Sequence, residues 1–165
     1  MSQVDKLSAR FGTWRLAAEY RGGRRCFAGC RLAGADLNGA TLDEIDLRAA
    51  DLGRAYMCGA RLARAGLSSA TLAQANLCQA DLSGANLNEA DLAGAALREA
   101  KLVGASLEYA NLRGADLRQA DLRGARLGGA RLMEANLEGA LVTPGQLAEV
   151  GSLRGATLPD GTRQQ

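Results

Sequence analysis

The chain has 165 residues, a length suited to one domain, and its 20 basic and 18 acidic side chains leave a formal charge of +2. A field that weak argues against a nucleic-acid or membrane-surface partner. There is no His, which removes the commonest general base, the Ser-His-Asp and Cys-His nucleophile systems and most zinc sites.

No apolar run reaches the roughly 18 residues of a membrane-spanning helix. Met1-Ser2-Gln3-Val4-Asp5-Lys6 lacks the apolar core of a signal peptide, so the cytoplasm is the expected location. Residues 3–20 predict a helix, interrupted at Gly12-Thr13, because Val4, Leu7, Phe11, Trp14 and Ala18 recur at three- and four-residue steps and make one apolar stripe. It is expected to cap the block that follows, with Trp14 near Phe27; a partner-binding helix is the other reading. Next, Tyr20-Arg21-Gly22-Gly23-Arg24-Arg25-Cys26-Phe27 gathers three Arg around two Gly. A solvated lead-in is the simpler reading, and a phosphate or carboxylate site the alternative.

From residue 27 to 142 a large apolar residue recurs every fifth position. Of these 24 centres 21 are Leu, the others being Phe27, Met57 and Val142; Ala stands two residues earlier in all but Arg25, Cys30 and Ile45. A five-residue step scatters side chains around an α-helix, at about 140° per step. On a straight strand it sends successive centres to opposite faces. The chain must therefore turn once per unit so that each Leu points inward again, beside an Ala small enough for a tight interior. Asp or Asn is common just before the centre, where its short polar group can bond nearby backbone. Gly is common two residues after it, where the backbone bends sharply.

The block ends at Thr143-Pro144-Gly145-Gln146, which has the form of a capping box and predicts a short helix through Val150. Leu153, Ala156 and Leu158 then restart the pentad one residue out of register. Residues 162–165 are expected to be disordered.

Units such as Ala35-Asp36-Leu37-Asn38-Gly39, repeated over about 70% of the chain, resemble the pentapeptide-repeat family of cyanobacterial type. The resemblance implies an all-β solenoid: a right-handed, four-sided parallel β-helix, four pentapeptides per coil, with short helical N- and C-terminal caps. The expected divisions are a cap and lead-in at 1–24, the β-helix at 25–143, and a second cap, displaced repeat and tail at 144–165. It also implies a non-catalytic protein-binding scaffold or regulatory interaction module that needs no cofactor or metal. Its partner would be an unidentified protein, and the chain a monomer or an end-to-end homodimer. Two other roles are similar to known family members: a DNA mimic acting on DNA gyrase, as in quinolone resistance, and a developmental regulator acting by contact with a regulatory protein. The mimics are strongly acidic, whereas charge in this block is nearly balanced.

With four units per coil, residues twenty apart stack in adjacent coils. Cys58 and Cys78 then share one face, with parallel Cβ atoms near the strand spacing of about 4.8 Å, beyond the usual disulfide value of about 3.8 Å. They read as two reduced thiols, with a redox or soft-metal role as the second reading. Cys30 takes an inward Ala place. Arg98 and Arg118 continue the same face, Arg113 and Arg123 lie one face to either side, and these four form the candidate protein-binding surface. Stacked like charges need an opposing charge, either local (Glu99, Asp116 and Asp121 are candidates) or brought by an acidic partner. Without interleaved aromatics the face is a poor nucleic-acid platform.

Overall fold

The computed structural model describes residues 13–165, with side chains from Arg15 onward. Helix α1 (Thr13–Arg21) and helix α2 (Pro144–Ala148) flank a right-handed, four-sided parallel β-helix. Four sides follow from the pairing: Asp46, Asp51, Tyr56 and Arg61 each bridge in parallel to the residue twenty further on, and the pattern runs to Asp121 and Leu141.

One unit shows why the pentad folds this way. The N–H of Ala50 donates to the carbonyl of Leu47 at 3.0 Å, closing a turn, while Leu47 and Ala49 donate to Gly66 and Ser68 of the next coil at 2.7 and 2.9 Å. The third residue of that turn is left-handed in unit after unit, with φ of 55° at Ala49, 57° at Glu99 and 65° at Gly59. Gly is favoured there for this reason, yet the coil imposes the conformation on other residues at a cost of roughly 1–2 kcal/mol each. At Gly129 a side chain is excluded twice over: φ is 67°, and an added Cβ would lie 2.6 Å from the Tyr109 ring stacked against it.

Turning every five residues sends all the Leu inward. Leu32 to Leu137 are at most 3% exposed, Cys30 and Ile45 fill inward Ala places, and among the described residues no polar or charged side chain is buried. Each Leu contributes roughly 1.5–3 kcal/mol of burial. Outside, the Asp or Asn before the centre accepts the N–H of the residue after it, as Asn76 does from Cys78 at 3.1 Å. At three places that hold another residue, Tyr56, Arg61 and Ser106, a side chain from the preceding coil substitutes. Asn38 accepts from Cys58 beside Tyr56, and Asn88 from Glu108 beside Ser106, at 2.8 and 3.1 Å. Among the described residues no Asp of this outer row is bridged to another Asp; Asp81, for example, lies between Arg61 and Lys101. That spacing avoids stacked like charge.

The ends correct two expectations. Val4, Leu7, Phe11 and the Trp14 side chain lie outside what is described, but Ala18 of the expected stripe is exposed, and among the described side chains of α1 Leu16 is the one fully buried against the core. At about 100° per residue, Ala18 faces away from Leu16, whereas Tyr20, one turn on, shares its side. The Tyr20 hydroxyl donates to the Asp43 carbonyl at 2.7 Å and pins the helix to the first coil. At the other end Thr143 and Gln146 form the capping box, and Gln146 Nε2 also donates to the Leu122 and Ala125 carbonyls at 2.7 and 2.8 Å. After α2 the chain rejoins the coil one residue displaced, Ser152 bridging Arg131 and Thr157 bridging Asn136. Residues 162–164 are not loose: Leu158 donates to Thr162 at 2.7 Å around the Pro159-Asp160-Gly161 turn, Arg163 pairs antiparallel with Thr157, and Gln164 donates to the Ala156 carbonyl at 2.8 Å. This hairpin supplies partners for backbone at an otherwise open edge. No described helix is long and apolar enough to cross a membrane.

Candidate functional site

The face centred on Leu37, Met57, Leu77, Leu97, Leu117 and Leu137 carries, directly after each centre, Asn38, Cys58, Cys78, Arg98, Arg118 and Glu138. Two adjoining hollows open on it. One, of about 250 Å³, is lined by Cys58, Cys78, Gln79, Arg98 and Glu99. The other, of about 300 Å³, is lined by Arg98, Arg118, Gln119, Glu138 and Gly139. Arg98 stands between them and borders both.

The four arginines read from the sequence differ in what holds them. Arg118 is clamped by Asp116 of its own unit, Nε to Oδ1 at 2.8 Å and Nη2 to Oδ2 at 2.6 Å. Arg123 is held the same way by Asp121, at 2.9 and 2.6 Å, and Arg48 by Asp46, at 2.8 Å twice. The cause is geometric: with the Leu between them turned inward, the residues before and after it stand side by side outside. These bonds hold the carboxyls of Asp116, Asp121 and Asp46 below the ordinary aspartate range, their guanidinium partners being the largest cause. Arg113 follows Asn111, which has no charge to offer, and reaches Glu134 instead at 3.3 Å. Arg98 follows Ala96. It is exposed, and its side chain makes no hydrogen bond or ion pair with the described residues. Of the acids expected to oppose these charges, Asp116 and Asp121 do so, while Glu99 accepts from Gln79 Nε2 at 3.0 Å.

Cys58 and Cys78 are free, half-buried thiols on adjacent coils, their strands joined by the Tyr56 to Asn76 bridge and by the Gly59 N–H on the Cys78 carbonyl at 2.9 Å. Burial, ahead of smaller effects, pushes the Cys78 thiol up. In the lead-in, Arg24 pairs with Glu19 and lies over the Phe27 ring at 4.8 Å, and Arg25 lies over Tyr20 at 4.0 Å. Those two guanidiniums serve the cap. Among the described residues no group of three or more His, Cys, Asp or Glu could hold a metal ion.

Comparison with known proteins agrees with this geometry. The chain matches the family described as Pentapeptide repeats in eight copies, over residues 26–64, 65–102 and 100–139. Among solved structures it is similar to QnrB1, a plasmid-mediated fluoroquinolone resistance protein, at 24% identity and a TM-score of 0.66 over 70% of this chain. The chain spans 58% of QnrB1's length. HetL, involved in heterocyst differentiation regulation in the cyanobacterium Nostoc sp. strain PCC 7120, matches at 24% identity and a TM-score of 0.41, over 94% of this chain and 100% of HetL. Rfr23 from the cyanobacterium Cyanothece 51142 matches at 34% identity and a TM-score of 0.35, over 79% of this chain and 92% of Rfr23. No curated protein matches the chain.

Proposed function

The chain belongs to the pentapeptide-repeat family, and from that premise we propose that it is a non-catalytic protein-binding scaffold that docks an acidic protein segment on the face of Arg98 and Arg118. The observation that carries this reading is the exposed Arg98 guanidinium, whose side chain makes no hydrogen bond or ion pair with the described residues, at the junction of two hollows. Its neighbour Arg118 is already neutralised by Asp116. A partner carboxylate at Arg98 would make a charge-assisted, two-pronged contact. The rod would lose little freedom on binding, because the docking residues stand on coils bonded to their neighbours. A regulatory role by contact with another protein would use this same surface.

A DNA-mimic role has only the shared fold with QnrB1 in its favour. A mimic of phosphate charge needs rows of unopposed carboxylates, whereas Asp46, Asp116 and Asp121 are each neutralised by an arginine of their own unit. A supercoiling assay with purified gyrase should accordingly show no change in activity or quinolone response.

The direct test is affinity capture from an extract of the source organism by the natural chain, by Arg98→Glu, and by Arg123→Glu on the neighbouring face. A protein retained by the natural chain and by Arg123→Glu, but lost with Arg98→Glu, supports the docking face. The same protein retained by all three rejects it.

A further inference from the structure

We propose that Cys58 and Cys78 form a two-coordinate site for a soft monovalent cation of the Cu(I) class, with Arg98 balancing the charge of the complex. The proposal starts from spacing. The two cysteines hold equivalent places in adjacent, in-register coils, so their parallel side chains stand about a strand spacing apart, near 4.8 Å. That is too wide for a disulfide, whose Cβ atoms lie about 3.8 Å apart. It suits two thiolate–metal bonds in line, which at the Zn–S length of about 2.3 Å separate the sulfurs by about 4.6 Å.

Ligand number selects the ion. Zinc would need four ligands, or three and an open position, and among the described residues no cluster of three or more His, Cys, Asp or Glu exists to supply them. Two soft thiolates alone suit Cu(I). Binding would exchange two thiol protons for one Cu⁺, leaving a bis-thiolate complex of charge −1 and releasing two protons to solvent. Arg98 lines the same hollow of about 250 Å³ as both sulfurs and makes no ion pair, so its +1 charge is available to the complex. The other charged residue there, Glu99, is engaged by Gln79 at 3.0 Å. The inference does not rest on the docking role, and its test uses no partner.

The experiment is an anaerobic Cu(I) titration of the whole chain against a chromophoric chelator. The background is Cys26→Ser with Cys30→Ala, which leaves only the pair and gives position 30 the residue that the inward place usually holds. The expected result is one Cu(I) per chain, with two sulfur neighbours by X-ray absorption on that background. Cys58→Ser or Cys78→Ser alone should weaken binding by more than the roughly 10–100-fold that loss of an outer-shell partner costs, and Arg98→Gln should fall within that range. Undiminished binding by the Cys58→Ser/Cys78→Ser double variant would overturn the site. So would one Cu(I) bound independently at each sulfur, or ready closure of a Cys58–Cys78 disulfide by diamide.

Discussion

Units 95–99 and 115–119 occupy the same face one coil apart, and each places an arginine directly after a buried leucine. In the second unit Asp116 grips both ends of the Arg118 guanidinium. In the first that place is Ala96, and Arg98 is left without an acceptor. The coil geometry is shared, so one side chain two positions upstream decides whether the cation serves the protein's own surface or is open to a ligand.

The largest expected effect comes from breaking what the two units share. Leu97→Ala should cost about 2.7–5 kcal/mol in denaturant unfolding, the range for a well-packed leucine. A loss below about 1 kcal/mol would mean the rung is not close-packed as described. Smaller is the effect of making the second unit resemble the first. Asp116→Ala removes the acceptor of the Arg118 N–H, about 1 kcal/mol, while the solvent-screened ion pair adds little. A thermal melt checks this cost, and the variant should bind an acidic partner more tightly because Arg118 is released.

Acid should erase the same distinction without mutation. Asp46, Asp116 and Asp121 titrate below the ordinary 3.8 in the folded chain because their arginines bond the ionised form. Their contribution is therefore complete above that value and is lost as pH falls through the lowered ones. Melts down a pH series should show a decline beginning below about pH 4, shallower in the triple Asp→Asn variant. The least effect on stability is expected for Ala96→Asp, which supplies Arg98 with a clamp but stacks a carboxylate on the bridged Asp116. Unfolding should shift by no more than about 0.5 kcal/mol, yet partner capture through Arg98 should disappear.

Much of this was legible before any coordinates. Leucine and alanine at fixed places in a five-residue period require a turn per unit whatever the outer residues are, and Thr143 with Gln146 announces the second cap. The closure into four sides came from family resemblance, because nothing local in a pentad counts the sides. Leu16 lies outside the expected stripe because a spacing of three and four also fits Ala18, and only contact with the first coil selects the buried side. The hairpin at the tail was hidden for a similar reason: Thr162 and Arg163 look polar and terminal, and their partners, Leu158 and Thr157, are backbone groups that no side-chain pattern marks. The arginine assignments were within reach. Asp-Leu-Arg at 116–118 and 121–123, Asn-Leu-Arg at 111–113 and Ala-Leu-Arg at 96–98 already separate the clamped, redirected and free cations, once the intervening leucine is known to point inward.

The distinction between Arg98 and Arg118 is tested most directly by solvent exchange of the guanidinium Nε–H protons, measured by NMR on the natural chain without any partner. Arg118 and Arg123, whose Nε–H groups donate to carboxylates at 2.8 and 2.9 Å, should exchange slowly, and Arg98 at the rate of a free arginine. Protection of the Arg98 proton equal to that of Arg118 would mean that an internal acceptor holds it, and the proposed docking face would lose its cation.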